Sequence, residues 1–297
     1  MKRSTFVLAG IVIILGLVVV LVLQRPGEQS STTDVRGSFV PIDSLNTDRI
    51  EITAPGRAVA LARHNGEWVL TAPVTGRADQ GAVAGFLHLL KRINVRGTVS
   101  TRPEKQAVFQ VDSSGTAVRL FAGSAVSTAF ILGKSGANPA ESYARNASSN
   151  EVVLVEGVYA GEVNKPLREW RDRSMLNIPR ERITEVRYRY GDTTFALMFQ
   201  DSAWTVDGRS ANTEKVNGLL NALSAFQGDD VVDNVSTPVP ETSAQITVAG
   251  IDIRFALEKE RGSYLAQTSA TPQWYRVESW HAGQVLLRKG SLLTPAP

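Results

Sequence analysis

Three histidines, His64, His88 and His281, are the residues of this 297-residue chain best able to exchange a proton near neutral pH or to hold a metal. They show no HExxH or other close ligand spacing, and with no cysteine present a structural zinc site would need an unusual set of carboxylates. Each reads as a surface or packing residue, and no metal or cofactor is expected. Leu132-Gly133-Lys134-Ser135-Gly136 shares the ending of a phosphate-binding loop, in which backbone amides, lysine and hydroxyl hold a nucleotide. The first glycine of such a loop would fall at Thr128, and Ala137-Asn138-Pro139 is a poor helix start, so the segment reads as a β-turn. Asp229, Asp230 and Asp233 offer oxygen ligands but lack the glycine turn and glutamate of a calcium loop. They read as a solvated strand edge, where charge also discourages pairing with another chain. Neither Gly-x-Ser-x-Gly nor Ser-x-x-Lys occurs, and the expectation is a protein that is not an enzyme. Trp68, Trp204 and Trp274 sit at strand positions and are expected in the core, while Trp170 and Trp280 are left open.

What positions these residues begins with an anchor. From Phe6 to Leu23 eighteen consecutive residues carry no charge, which as a helix spans roughly 27 Å, the thickness of a bilayer core. Lys2 and Arg3 precede the segment and only Arg25 follows closely, so the positive-inside rule keeps residues 1–5 cytoplasmic and places the bulk of the chain across the inner membrane, in the periplasm. No small-x-small site follows Leu23, which favours a retained single-pass anchor over a cleaved signal. Residues 24–38, rich in small polar groups, read as a flexible tether. The formal charge of +3 is too small for a nucleic-acid partner.

Beyond the tether the sequence repeats itself. Two helices are expected over Asp79 to Arg92 and Asn212 to Phe226, with caps 133 positions apart. At that offset Val83, Phe86, Leu87, Leu90 and Ile93 match Val216, Leu219, Leu220, Leu223 and Phe226, a spacing that lines one helix face. Ahead of each helix come two alternating segments and a tryptophan: Arg49-Ile50-Glu51-Ile52, Val59-Ala60-Leu61 and Trp68, then Val186 to Tyr190, Phe195-Ala196-Leu197 and Trp204. Asn65-Gly66 and Asp201-Ser202 supply the hairpin turns. Behind each helix, Val155-Glu156-Gly157-Val158-Tyr159-Ala160-Gly161-Glu162-Val163 answers Val277-Glu278-Ser279-Trp280-His281-Ala282-Gly283-Gln284-Val285, with five of nine positions identical. A strand is expected to close each copy, followed by a short helix.

The fold class that follows is α+β: a transmembrane helix, then two homologous modules, each a mainly antiparallel sheet with one long amphipathic helix. The modules are placed at 39–165 and 182–290, joined by a connector at 166–181 and followed by a tail at 291–297. The connector, Leu167-Arg168-Glu169-Trp170-Arg171-Asp172-Arg173-Ser174-Met175-Leu176, is expected to be solvated, with its apolar members docking on both modules. A sharper alternative makes Arg168, Trp170, Arg171 and Arg173 a contact surface for anionic lipid headgroups or a protein partner.

Trp68, Pro73, Ala78, Asp79, Val83, Leu87 and Leu90, then Ile131-Leu132-Gly133, Tyr143, Arg171-Asp172-Arg173 and Leu176, follow in the order and spacing of a known pattern. In these the chain resembles the bacterial family catalogued as domain of unknown function 4340, over nearly everything after the tether. The resemblance implies an envelope component that accompanies inner-membrane ABC-type transporters of the gliding-motility kind, and it carries over no catalytic residue. The second copy departs from the pattern in lacking a proline after Trp204. Two functions stay open: a tethered accessory module for such a transport complex, or an envelope domain that binds or hydrolyses glycan, peptide or lipid in a cleft between the modules.

Overall fold

A computed structural model describes residues 37–294 except 236, 237 and 239. The expected anchor at 6–23 and most of the tether lie outside the described residues; among those described, no helix is long and apolar enough to cross a membrane. Contacts divide the chain into two units, one of 37–75 with Gly81–Lys165 and the other of Gly76–Gln80 with 166–294.

Among the described residues eighteen strands form two sheets. The first holds β1 (Arg49–Ala54), β2 (Arg57–His64), β3 (Glu67–Ala72), β4 (Gly76–Arg77), β5 (Asn94–Ser100), β6 (Thr116–Ala122), β7 (Ala125–Ser135), β8 (Glu141–Asn146) and β9 (Val152–Glu156). The second holds β10 (Glu185–Tyr190), β11 (Thr193–Gln200), β12 (Ala203–Val206), β13 (Arg209–Ser210), β14 (Asp230–Val232), β15 (Thr242–Val248), β16 (Ile251–Glu258), β17 (Ser263–Thr268) and β18 (Trp274–Glu278). The sheet orders, β4-β3-β2-β1-β6-β7-β8-β9-β5 and β13-β12-β11-β10-β15-β16-β17-β18-β14, are the same order nine strands apart. The described residues therefore form a duplicated, sheet-rich fold with few helices.

Local chemistry accounts for the strands and their turns. Ile50 and Ile52 are buried while Arg49 and Glu51 are not, the period-2 pattern of a sheet with one core face. Asn65 and Gly66 have φ of 51° and 88°, and Asp201 and Ser202 have 50° and 64°, the left-handed pair that a two-residue hairpin requires. The longest helix described in each unit is α1 (Gln80–Lys91) in the first and, in the second, Thr213–Ser224, which begins under the Asn212 side chain accepting from the Lys215 amide at 3.1 Å. Their buried residues, Val83, Phe86, Leu87, Leu89 and Leu90, then Val216, Leu219, Leu220 and Leu223, face the sheets' cores.

The ends of each copy are fixed by hydrogen bonds at the sheet edges. Ser38 bridges Asn94 and Ser174 bridges Gln227, with Phe39 N–H donating to Ile93 O at 2.8 Å and Met175 N–H to Phe226 O at 2.9 Å. At the other edge Ala78 bridges Arg171 and Ala211 bridges Leu293. There Asp79 N–H donates to Trp170 O at 2.9 Å and Asn212 N–H to Leu292 O at 2.8 Å. Residues 170–172 thus end the first copy as 292–294 end the second, and 173–175 open the second copy as 37–39 open the first.

This corrects the expected layout. No separate solvated connector lies at 166–181: Trp170 is fully buried, and Met175, Leu176 and Ile178 are part of the core of the second unit. The expected tail begins inside the fold, since Leu292 is fully buried and Thr294 N–H reaches Ser210 O at 3.3 Å; residues 295–297 lie outside the described residues. The supposed turn at Leu132–Gly136 is mostly strand, with Gly133, Lys134 and Ser135 in β7. Gly133 is needed there because α2 (Gln106–Phe109) passes against it, and a Cβ would stand 2.1 Å from Phe109 O. Gly133→Ala should displace that backbone and lower stability by about 3 kcal/mol, read as a reduced urea midpoint with the m-value unchanged; an unshifted midpoint would mean that the close approach relaxes freely.

Candidate functional site

A polar concave surface of the second unit is built where the edge strand β14 meets β18. Register pairs Asp230 with Arg276 and Val232 with Trp274, and Asp229 N–H donates to Arg276 O at 2.8 Å. The Asp229 carboxylate then turns across the end of β18. It accepts from the Glu278 amide at 2.8 Å and lies 3.1 Å from His281 Nδ1. Glu278 caps a short helix, Ser279–Ala282, and that helix places His281 against the edge of Phe226, with ring centroids 5.1 Å apart.

From the other side comes the segment that opens the second copy. Arg173 Nη1 donates to Asp229 O at 3.2 Å, and Arg168 with Glu169 lies on a single 3-10 turn, Leu167–Glu169. Together Arg168, Glu169, Arg173, Asp229, Asp230, Arg276 and Glu278 line a cleft of about 560 Å³. Arg276 is held in place by Glu258 at 3.1 Å, whose carboxylate also accepts from Ser263 at 3.0 Å. Beside the cleft, Trp280 is 68% exposed and stacks on His281 with centroids 5.1 Å apart. A guanidinium-rich, carboxylate-rich cleft next to an exposed indole can hold charged groups of either sign and bury an aromatic contact.

Of the four residues singled out in the sequence, the structure brings two to this surface. Arg168 is exposed and Arg173 half-buried, and both line the cleft. Trp170 and Arg171 present no contact surface, being 0% and 4% exposed, because they lie on the strand that closes against Ala78 and Asp79. The Arg171 guanidinium forms a two-point ion pair with Asp233, one contact of which is 2.7 Å. The acidic cluster is thus at a strand edge, as expected; there Asp233 stays partly exposed while paired with Arg171, and Asp229 accepts from the Glu278 amide. Asp229, Glu278 and His281 were not grouped from the sequence; the divergence of Ser279-Trp280-His281 from the otherwise matching segment of the first copy was the one signal there. Of the tryptophans expected in the core, Trp68 is buried, whereas Trp204 and Trp274 are half-exposed.

The hydrogen bond and charge of Arg171 hold the Asp233 carboxyl below the usual carboxylate range, against partial desolvation. A carboxyl whose pKa is lower folded than unfolded adds stability above its unfolded pKa, and that stability is lost as pH falls through the folded value. Asp233→Asn should therefore cost roughly 2 kcal/mol at pH 7, discounted because Asp233 is partly solvated. It should also remove part of the acid-side decline below about pH 4. Urea midpoints from pH 3 to pH 7 read both effects, and parallel curves for the two proteins would refute the coupling.

No curated protein and no solved structure matches the chain. A family model does match, and it covers residues 68–245, from Trp68 in β3, through the helix, the paired Arg171 and two of the three arginines that line the cleft, Arg168 and Arg173, to Gln245 in β15. That is more than half of the chain, and it makes the protein a member of the family described as Domain of unknown function (DUF4340).

Proposed function

We propose that this protein is a tethered interaction module of the cell envelope: residues 6–23 anchor it in the inner membrane, the duplicated sheets stand in the periplasm, and it accompanies an integral membrane complex of the ABC-transporter kind. The observation that carries the reading is the cleft between β14 and β18. Its three arginines, four carboxylates and the neighbouring exposed Trp280 are the residue types that dominate protein–protein contacts, with an aromatic anchor and a charged rim. The uncharged run from Phe6 to Leu23 supports the anchor, and the family resemblance supports the transport complex.

Crosslinking the full-length protein in native membranes, followed by detergent purification and mass spectrometry, tests this. A permease or its ATPase should be recovered, and Trp280→Ala with Arg168→Glu should cut that recovery about tenfold, the effect of losing one central anchor. Recovery of the chain alone, or of a complex indifferent to both substitutions, would reject the cleft as the docking site.

A further inference from the structure

The solvent face of the second sheet carries a row of planar side chains in cross-strand register. Arg189 on β10 stands opposite Gln245 on β15, Gln245 opposite Arg254 on β16, Arg254 opposite Gln267 on β17, and Gln267 opposite Trp274 on β18. Neighbouring strands lie about 4.8 Å apart, so the row extends for roughly 19 Å. The alternating residues Tyr188, Ile246, Ile253, Ala266 and Tyr275 are buried on the opposite face, which fixes the row toward solvent.

Two grooves flank the row on this face. One of about 360 Å³ is lined by Arg187, Arg189, Gln245 and Thr247 among others, and one of about 400 Å³ by Arg254, Gln267 and the loop that follows them. The charge on the row is unneutralised. Arg187 is paired with Glu185 at 2.7 Å, but Arg189 reaches the amide oxygen of Gln245, and no ion pair holds Arg189 or Arg254 among the described residues. The adjacent Asp252 instead accepts from the Thr247 hydroxyl at 2.7 Å. In the first sheet the corresponding row runs Thr53, Ala117, Ile131, Arg145, Val152, and its one arginine, Arg145, donates to Val111 O at 2.9 Å.

We propose that the row Arg189-Gln245-Arg254-Gln267-Trp274 binds an extended anionic polysaccharide, one sugar per strand. The spacing of strands is close to the length of one pyranose in an extended chain. Guanidinium groups pair with carboxylates in two-point geometry; the Gln245 amide accepts from Arg189 and the Gln267 amide donates to Pro272 O at 2.7 Å, and each keeps further donor and acceptor capacity for ring hydroxyls; the half-exposed indole at the end of the row offers an apolar flank to a sugar face. A lipid surface would be met by charge and apolar insertion, which the two glutamines of the row do not serve. The row shares no residue with the β14–β18 cleft and does not depend on the transport reading.

Calorimetric titration of the full-length protein in non-ionic detergent with a galacturonate hexamer tests this. Binding that weakens with added salt and falls about tenfold in Arg254→Gln and again in Arg189→Gln is the expected result, with Arg102→Gln, an exposed arginine of the first unit, changing it less than about twofold. No binding, equal binding of a neutral glucose hexamer, or equal binding of single-stranded DNA, polyphosphate or phosphatidylglycerol vesicles would overturn the proposal. Circular dichroism of each variant separates loss of the site from loss of the fold.

Discussion

The constraint on which everything else rests is that the backbone groups at the edge of a nine-stranded sheet need partners. Here the chain supplies them from its own entering and leaving segments. Ser38 on Asn94 and Ser174 on Gln227 serve one edge; Arg171 on Ala78 and Leu293 on Ala211 serve the other. These short pairings set the limits of each copy, and they determine which arginines of the central segment reach solvent. Arg171 is drawn inside, where Asp233 keeps its charge compensated, while Arg168 and Arg173 are left on the surface.

Much of this was legible from periodicity. Helical stripes in Val83 to Leu90 and Val216 to Leu223, and turn residues such as Asn65-Gly66, are local signals whose physics acts within a few residues. The edge segments were not legible. Gly37-Ser38-Phe39 and Arg173-Ser174-Met175 are too short to show a period, and what makes them strands is a partner more than fifty residues away. The site was half legible for the same reason. Charge density pointed to Arg168 and Arg173, but only the register of β14 on β18 brings Asp229 beside His281. Lys134 and its glycines looked like a loop because the helical segment that crowds Gly133 cannot be inferred from residues 132–136 alone.

The two copies share a scaffold and differ in what they add to it. In the second, Tyr188 and Tyr190 donate to Val285 O at 3.1 Å and Leu287 O at 2.9 Å, pinning the segment after the last sheet strand; the first copy has Ile52 and Ala54 in the equivalent places of its strand. The solvent faces diverge in the same way: Arg189, Gln245, Arg254 and Gln267 of the second sheet stand where the first has Thr53, Ala117, Ile131 and Arg145. Duplication kept the core pattern, because buried rows tolerate little change, while the solvent rows diverged.

The first copy ends at Asp172 and the second begins at Arg173, with no spacer between the strand that closes one sheet edge and the strand that opens the next. Such a join is modular in the way of a tile. Each copy carries the finishing strip for both of its own borders, so an additional copy spliced in frame at this junction would arrive already finished and would need no linker. The repeat can therefore grow by whole units, while a single inserted residue at the seam would misalign one border or the other.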